Sequence, residues 1–498
     1  MRKSMEQQKK EKEVEGRRKG ERVPHVLVFP FPAVGHVNCM LRLAQLLCLS
    51  DLRVTFLHTE YNYDRLRRNP EHVDYFRHWP SFKYRTISDG LPMESPRSAK
   101  DLEELWMSMT ARTKPLLREM LSSDAGGTEE VTCIIADGIL SFAADVGREL
   151  GIPTIAFRTV SVCSFWSYFC APQLVEAGEL PFQEDADLDC PIQGVPGMET
   201  FLRRRDLSSF LRGKELYSPA TAFVLNETQK NAKASALIFN TFEDLEGPIL
   251  SHVRALRSTI YTIGPLHALI RSKLHEQYPH QSKSFPPKFG TGLCEEDGSY
   301  LQWLDSKPPK SVVYVSFGSL TIVTRDELLE FWHGLVNSGK FFLWVIRPDM
   351  VSGDGILEDV IPAGLEEGTK ERGLMLGWVS QEQVLGHDAV GGFLTHSGWN
   401  STLESIVAGV PMVCWPYFAD QQINSRFADE VWGIGLDIKD KGDRRTVEQS
   451  VRDLIENKNE RLRQSADRMA MLARKAVAKG GSSYDSFDRL IQSIKAAS

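Results

Sequence analysis

The chain has 498 residues, which is too long for one hydrophobic core and predicts two or three domains. Its apolar and charged fractions, 42% and 25%, are those of an ordinary soluble globular protein. The formal net charge is −7 and no long basic face follows the N-terminus, which argues against a nucleic-acid partner.

The N-terminus and the cysteines indicate a reducing compartment. Residues 1–22 alternate basic residues with glutamate and predict a disordered charged tail, which lacks the apolar run of a secretory signal peptide. The 8 cysteines are scattered without CxxC pairs, so they predict neither a zinc site nor a disulfide framework. No apolar run is long enough to span a bilayer. We therefore expect a cytoplasmic protein without a membrane span, and a monomer.

The first half of the chain has the pattern of an α/β fold. A buried strand at 25–29, a loop at 30–35, helical spacing at 37–49 and a strand at 52–57 form a strand–helix–strand unit of a doubly wound parallel sheet. Further strands are predicted at 82–87, 132–136, 154–157 and 236–240. We place the first domain at 23–265.

A second α/β unit follows. Residues 266–300 lack clear periodicity and are predicted to be a linker. A strand at 311–316 breaks at Gly318 and Ser319 and precedes a helix that Thr324 and Glu327 cap. The second domain is predicted to cover 301–475, and a C-terminal helical segment to cover 476–498. Two similar halves would face each other across a cleft.

Two common nucleotide-binding loops do not occur in the sequence. There is no GxxxxGK[ST] loop, and no GxGxxG follows the first strand, where the sequence is PFPAVGH. The second absence weakens the interpretation as an NAD-dependent dehydrogenase.

The most informative stretch of the chain runs from Trp378 to Gln421. It contains a short apolar strand at 390–395, a polar loop, and an apolar-periodic helix that begins near Ser401. A strand that enters a helix through a short loop directs backbone N–H groups and the positive end of the helix dipole at one place, which suits a diphosphate. A second strand ends before Asp420 and Gln421, a carboxylate and an amide suited to sugar hydroxyls.

Over its whole length this stretch resembles the signature segment of the plant family-one UDP-sugar-dependent glycosyltransferases. The resemblance implies the GT-B fold, with two Rossmann-like domains, and UDP-glucose as the donor substrate. One departure is visible, because the family usually has cysteine where this chain has Ser397. Both side chains are small, so we expect binding to be retained.

The resemblance also implies a role for each donor-site residue. Trp378 would stack on uracil, Gln381 would hold the uridine, and Glu404 would bind the ribose hydroxyls. The diphosphate would be bound by His396, Asn400 and Ser401. The sugar would be bound by the backbone of Trp399 and by Asp420 and Gln421, the last of which accompanies glucose preference in the family. The remaining residues predicted to line the donor site are Gly318, Ser319 and Val379.

Each of these residues has a simpler interpretation when it is taken alone. Ser401 and Glu404 have the spacing of an ordinary helix capping box. Trp378 alone would more often be a core residue, and His396 alone would more often be structural. Only the joint spacing favours a binding site.

The candidate catalytic pair is His36 and Asp137. His36 lies where the loop after the first strand enters a helix, and a neutral imidazole there would be a suitable general base. Asp137 follows a strand and could orient that imidazole. Alone, His36 is as easily a helix-start residue and Asp137 a helix cap. The resemblance favours a catalytic role for both residues, because the family has its catalytic residues in matching segments.

The reaction that the resemblance implies is one direct displacement, which inverts the α-linked donor to a β-glucoside. No metal or other cofactor is expected, because His396, the helix dipole and loop amides can bind the diphosphate. No DxD-type metal motif occurs in the donor region.

Residues of the first half should bind the acceptor. An aromatic set could line a pocket, although core positions are the more frequent outcome: Phe31, Phe142, Phe165, Trp166 and Phe169. Residues 195–207, together with segments at 87–92, 240–248 and 324–332, resemble the 7-deoxyloganetic acid glucosyltransferase branch. That branch implies a small lipophilic acceptor such as an iridoid, another monoterpenoid or an apocarotenoid, glucosylated on a hydroxyl or a carboxyl group.

If the acceptor is an acid, its carboxylate needs a cationic partner. The candidates are Arg158, Arg203, Arg204 and Arg205, with surface positions as the alternative for all four. A flavonoid or phenolic acceptor stays open. More remote alternatives are a UDP-sugar epimerase and a UDP-sugar binder without catalytic activity, but the presence of both His36 and Asp137 argues against the latter.

Overall fold

The computed structural model describes residues 23–69, 79–95, 97–98, 101–122, 130–182, 187–212, 216, 218–231, 234–257, 259–279, 297–347, 349–351, 362–456 and 460–497. The charged tail predicted at 1–22 lies outside these residues, as do residues 280–296 of the predicted linker.

Seven parallel strands form the first sheet, in the order β3-β2-β1-β4-β5-β6-β7. Chain order reverses between β1 and β4, and in doubly wound sheets ligands bind beyond the carboxyl ends of the strands at such a point. The strands are β1 (His25–Phe29), β2 (Arg53–Thr59), β3 (Phe82–Ile87), β4 (Cys133–Asp137), β5 (Thr154–Arg158), β6 (Leu237–Phe239) and β7 (Ile260–Thr262).

Both faces of this sheet are covered by helices. Val26 and Val28 of β1 point into one core, and Leu27 and Phe29 point into the other, so the last four positions of the strand are all apolar. The helices are α1 (Val34–Leu49), α2 (Glu60–Arg67), α3 (Leu102–Ser108), α4 (Lys114–Ser122), α5 (Phe142–Leu150), α6 (Val162–Glu176), α7 (Pro219–Asn231), α8 (Glu243–Leu256) and α9 (Leu266–Gln277).

Six parallel strands form the second sheet, in the order β10-β9-β8-β11-β12-β13, with the reversal between β8 and β11. They are β8 (Val312–Ser316), β9 (Phe341–Val345), β10 (Gly373–Leu376), β11 (Val390–Thr395), β12 (Met412–Cys414) and β13 (Gly435–Asp437). The helices are α10 (Tyr300–Asp305), α11 (Arg325–Ser338), α12 (Ala363–Arg372), α13 (Gln381–Leu385), α14 (Trp399–Ala408), α15 (Gln421–Arg426), α16 (Arg444–Ile455), α17 (Glu460–Val477) and α18 (Ser482–Ala496).

The carboxyl ends of the two sheets are held against each other by side chains that cross between the halves. The indole Nε1 of Trp399 donates to the carbonyl of Asn240 at 2.9 Å, and that of Trp432 donates to the carbonyl of Leu245 at 3.1 Å. Buried Lys439 forms an ion pair with buried Asp206 at 2.7 Å. These contacts place the two reversal points on either side of one cleft.

One segment differs from the prediction, and the packing of another was not predicted. The stretch predicted to be a linker begins with the helix α9, whose Leu266, Leu269 and Ile270 are buried in the core of the first half. These positions have helical spacing, so the prediction of an irregular linker is wrong for residues 266–277. The last helix, α18, returns to the first half, where Phe487 and Leu490 join the same core as Tyr261 of β7. The domain boundaries at 265 and 475 stay predictions.

Within the described ranges, no helix combines the length and the apolar character that crossing a bilayer requires.

Candidate active site

A single cavity opens between the carboxyl ends of the two sheets, and both halves contribute to its walls. We call the surface from the second half the donor wall and the surface from the first half the acceptor wall. All twelve residues predicted to bind the UDP-sugar line the cavity: Gly318, Ser319, Trp378, Val379, Gln381, His396, Trp399, Asn400, Ser401, Glu404, Asp420 and Gln421. His36 lines it from the acceptor wall.

The predicted catalytic pair is in direct contact. Nδ1 of His36 lies 2.6 Å from Oδ2 of Asp137, which is 2% exposed. The carboxylate also accepts hydrogen bonds from the backbone N–H groups of Phe31 and Ile139, both at 3.2 Å. These two amides fix the carboxylate while it holds the imidazole. Asp137 lies at the end of β4, well before α5 begins, so it does not cap that helix.

The contact with Asp137 determines which imidazole nitrogen can act as a base. A carboxylate only accepts hydrogen bonds, so Nδ1 of His36 carries the proton and Nε2 is left with a free lone pair. The Thr159 hydroxyl lies 3.1 Å from the same Nδ1, and the Phe31 ring packs edge-on against the imidazole. The imidazole is therefore held in one orientation at the cavity wall, with its side chain 24% exposed.

A second histidine, His396, lies in the donor wall in a different setting. Its ring is enclosed by two glycines, because a Cβ on Gly318 or on Gly398 would lie 2.3 or 2.4 Å from its Nε2. Burial lowers the pKa of His396 to about 4, so the imidazole is neutral at pH 7. Its buried Nδ1 has no hydrogen-bond partner in the described part of the chain. A neutral imidazole can donate one hydrogen bond to a ligand in the cavity.

Glu404 and Ser401 do not form the capping box that was the alternative interpretation. Helix α14 begins two residues earlier, at Trp399, with Gly398 as its N-cap. The amide Nε2 of Gln381 donates instead to Oγ of Ser401 at 2.8 Å and to Oε2 of Glu404 at 2.7 Å. The predicted uridine-binding and ribose-binding residues thus form one network.

An arginine that the sequence interpretation missed completes this network from the opposite wall. Arg42 of α1 is buried, lies 3.3 Å from Oε1 of Glu404, and also donates to Glu382. Burial raises the pKa of Glu404, and the guanidinium of Arg42 opposes that shift. The ion pair therefore stabilises the charged carboxylate, which accepts hydrogen bonds most strongly. Arg42 is a single charged residue within a mostly apolar helix, and nothing in the sequence around it indicated a role in the binding site.

Asp420 and Gln421 follow β12 on the donor wall. The amide oxygen of Gln421 accepts from the backbone N–H groups of Tyr417 and Phe418 at 2.8 and 2.9 Å. Its Nε2 is therefore the group available as a donor in the cavity. Oδ2 of Asp420 accepts from the side-chain amide of Asn424 at 2.8 Å, and burial raises the pKa of this carboxyl.

The first turn of α14 contacts the first turn of α1, which carries His36. Nδ2 of Asn400 donates to the carbonyl of Gly35 at 2.8 Å, one residue before the histidine. Ser397, the departure from the family pattern, has a φ of 62° and a buried hydroxyl without a hydrogen-bond partner among the described residues. Ser397 is not among the residues that line the cavity, and the expectation that donor binding is retained stays a prediction.

The acceptor wall is mostly apolar, but its residues are largely not those that the sequence suggested. Of the five aromatic candidates only Phe31 lines the cavity. Phe142 and Phe165 are core residues, as their simpler interpretation predicted. The apolar and aromatic residues that the sequence interpretation missed come from separate segments: Leu102, Trp106, Ile139, Val160, Tyr168, Phe210 and Val224.

The four arginines that were candidates for binding a carboxylate occupy two kinds of position. Arg203 and Arg205 form ion pairs with Asp206 and Asp189, and Arg204 packs over the ring of Phe182. None of these three lines the cavity. Arg158, at the end of β5, does line it. Arginines 203–205 are therefore wrong as acceptor-binding candidates.

No cluster of three or more histidine, cysteine, aspartate or glutamate side chains that could hold a metal ion occurs in the ranges that the structure covers.

Known structures and sequences resemble this chain over nearly its whole length. Os79 from O. sativa, solved in complex with UDP, superposes with a TM-score of 0.79 at 28% identity, covering 94% of this chain and 100% of Os79. An anthocyanidin 3-O-glucosyltransferase, also in complex with UDP, covers 96% of this chain with a TM-score of 0.78 at 24% identity, which supports the fold alone. The fold is GT-B, as predicted, and this fold with its donor wall defines a UDP-sugar-dependent glycosyltransferase.

Sequence comparison gives the family. A family model for UDP-glucoronosyl and UDP-glucosyl transferases matches residues 249–465. The 7-deoxyloganetic acid glucosyltransferase of Catharanthus roseus is 52% identical over 95% of this chain and 97% of that enzyme. A 7-deoxyloganetin glucosyltransferase of the same plant is 39% identical over 95% of this chain and 96% of its own length. The chain belongs to the plant family-one UDP-dependent glycosyltransferases, and the epimerase alternative is dropped.

Proposed function

We propose that this enzyme transfers glucose from UDP-glucose to a hydroxyl group of a small iridoid or related monoterpenoid acceptor and forms a β-glucoside. The observation that carries the proposal is the position of His36, which Asp137 holds by a hydrogen bond and which lines the same cavity as the donor wall. The chemistry of the acceptor is suggested by the relatives named for 7-deoxyloganetic acid and 7-deoxyloganetin.

In this proposal the donor wall binds UDP-glucose through hydrogen bonds from neutral and charged side chains. Trp378 stacks on the uracil, and Glu404 accepts from the ribose hydroxyls, with Gln381 and Arg42 positioning its carboxylate. His396, Asn400, Ser401 and the first backbone amides of α14 bind the diphosphate, since a helix N-terminus carries partial positive charge. Asp420 and Nε2 of Gln421 bind the glucose hydroxyls.

The acceptor wall supplies the base. Nε2 of His36 takes the proton of the acceptor hydroxyl as that oxygen forms a bond to the anomeric carbon of glucose. The bond from the anomeric carbon to the diphosphate oxygen breaks at the same time, and UDP leaves with the electron pair. Asp137 stabilises the imidazolium that results. One displacement inverts the anomeric centre, so an α-linked donor gives a β-linked product.

The leaving diphosphate needs stabilisation of its developing charge, and the proposal assigns this to His396 and the amides of α14. Because these groups are built into the donor wall, the proposed reaction needs no added divalent metal. Turnover that is unchanged by a chelator agrees with this part of the proposal, and a strict requirement for added magnesium contradicts it.

The proposal is tested by incubating the enzyme with UDP-glucose and a panel of iridoid, other terpenoid and flavonoid acceptors. We expect a product heavier than an iridoid acceptor by one glucosyl unit in mass spectrometry, and a β-anomeric proton coupling in its NMR spectrum. An α-linked product would contradict the single displacement. Glucosylation of the flavonoids with no transfer to any terpenoid would contradict the proposed acceptor class.

A further inference from the structure

Arg158 is a buried cation in the cavity whose hydrogen-bonding groups are not used by the protein. It is 3% exposed, and its Nε and Nη1 are buried without a hydrogen-bond partner among the residues that the structure describes. The other arginine of the cavity wall, Arg42, is paired with Glu382 and Glu404. A buried guanidinium without hydrogen bonds is costly, so its position calls for a ligand.

The groups that face Arg158 are occupied by other partners. Its charge interacts most with Asp137, Tyr168, Glu227 and Asp420. Asp137 is bound by His36 and two backbone amides. Oε1 of Glu227 accepts from Ser141 and Lys230, and the hydroxyl of Tyr168 lies 2.7 Å from that of Ser208. Oδ2 of Asp420 accepts from Asn424. These groups lie near the guanidinium but leave its N–H groups free.

The backbone near Arg158 makes room for its side chain and places it beside the base. A Cβ at Gly138 would lie 2.4 Å from Cδ of Arg158, so only glycine at that position accommodates the arginine stem. The guanidinium carbon lies 5.5 Å from the centre of the Phe165 ring. The next residue in the chain, Thr159, has its hydroxyl 3.1 Å from Nδ1 of His36. A small acceptor with its hydroxyl at His36 can therefore extend to Arg158.

We propose that Arg158 anchors a carboxylate of the acceptor, so that this enzyme selects carboxylic acids over their neutral esters; this inference rests on the proposed glucosyl transfer. A carboxylate matches the fork of a guanidinium with two parallel hydrogen bonds. Burial lowers the pKa of Arg158, because the charged form is disfavoured away from water, and a bound carboxylate would offset this cost. The apolar groups Trp106, Ile139 and Val224 would cover the remaining acceptor skeleton.

The test compares an iridoid acid, such as 7-deoxyloganetic acid, with its methyl ester as acceptors for the wild type, Arg158→Lys and Arg158→Met. We expect Arg158→Met to lower kcat/KM for the acid about 10- to 100-fold, the range for losing hydrogen bonds to a charged group. Most of the change should be in KM, while kcat/KM for the ester and KM for UDP-glucose stay near the wild-type values. Arg158→Lys should be intermediate, since it keeps the charge and loses the fork.

Arg205→Met is the matched control, because Arg205 pairs with Asp189 outside the cavity and its loss should leave the preference for the acid unchanged. Thermal unfolding separates a binding role from a structural one. Removing a buried guanidinium without hydrogen bonds should not lower the unfolding temperature. An equal loss of kcat/KM for acid and ester, or a clear drop in the unfolding temperature of Arg158→Met, would overturn the proposal.

Failure of this inference can be told apart from failure of the proposed function. If the wild type glucosylates neutral iridoids and shows no preference for the acid, Arg158 is not a carboxylate anchor, and the proposed glucosyltransferase function still stands. If no terpenoid is glucosylated, the proposed function fails. In that case the acid is titrated by calorimetry into wild type and into Arg158→Met, both saturated with UDP. Equal affinity of the two proteins for the acid rejects Arg158 as the carboxylate anchor.

Discussion

The two walls of the cavity are built in different ways. Most of the donor wall comes from one continuous stretch, Trp378 to Gln421. Polar side chains of this stretch form hydrogen bonds with one another and with backbone groups. The acceptor wall is assembled from side chains of at least four separate helices and loops, and most of them are apolar. A wall that binds one fixed nucleotide can be a single prearranged unit. A wall that binds a variable, lipophilic molecule is formed by the packing of distant segments.

The two histidines show the same difference at the level of single side chains. His36, in the acceptor wall, is hydrogen-bonded to the carboxylate of Asp137, which can stabilise the protonated imidazole. His396, in the donor wall, is buried between two glycines, and its pKa is lowered to about 4. The first environment suits a group that gains a proton during the reaction, and the second suits a group that stays neutral and donates a hydrogen bond.

The largest effect should come from removing the base of the acceptor wall. His36→Ala is expected to lower kcat by about 10² to 10⁴-fold, the usual contribution of general base catalysis, with KM for UDP-glucose little changed. Initial rates of UDP release with a saturating acceptor measure this. Near-wild-type turnover in His36→Ala would mean that another group deprotonates the acceptor.

Asp137 should matter less, because it acts through His36. Asp137→Ala is expected to lower kcat by less than His36→Ala does, since Nε2 remains but the imidazolium loses its partner. The double variant His36→Ala/Asp137→Ala should be no slower than His36→Ala alone. Additive losses in the double variant would show that the two residues do not work as a pair.

In the donor wall, Glu404→Ala is expected to raise KM for UDP-glucose about 10- to 100-fold, because the ribose hydroxyls lose a charged acceptor. Glu382→Ala is the matched control. It removes the other partner of Arg42 across the cleft without removing the predicted ribose contact. Equal changes in KM for the two variants would assign the effect to the ion network and not to ribose binding.

The smallest effect should be on sugar choice. The oxygen of Gln421 is held by two backbone amides, so its Nε2 is the group that meets the sugar. Gln421→His is expected to change the ratio of UDP-glucose to UDP-galactose use by about tenfold, the value of one hydrogen bond. An unchanged ratio in competition experiments with both donors would show that Gln421 does not select the sugar.

The sequence predicted those parts of the molecule that depend on local patterns. The buried parallel strand His25–Phe29 is apolar at every position after its first residue, and the helix Arg325–Ser338 has the capping box of Thr324 and Glu327 that its spacing predicted. The donor wall was predictable because the resemblance covers one uninterrupted segment. The roles of its residues stay predictions, although the structure brings all of them to one cavity.

The features that the sequence did not predict depend on long-range packing. Arg42 is one polar residue in an apolar helix, and only the fold brings it to Glu404. Trp106 and Val224 line the acceptor wall although they are far apart in the chain. Of the four candidate arginines, only the tertiary structure shows that Arg158 lines the cavity, whereas Arg203 and Arg205 form ion pairs away from it.

The most direct test of the division between the walls is the calorimetric affinity for UDP of the wild type, His36→Ala and His396→Ala. The account predicts that His36→Ala binds UDP as tightly as the wild type although its turnover is lost. It predicts that His396→Ala binds UDP about tenfold or more weakly, because the diphosphate loses a buried donor. Weakened UDP binding in His36→Ala, or unchanged binding in His396→Ala, would contradict the assignment of catalysis to one wall and donor binding to the other.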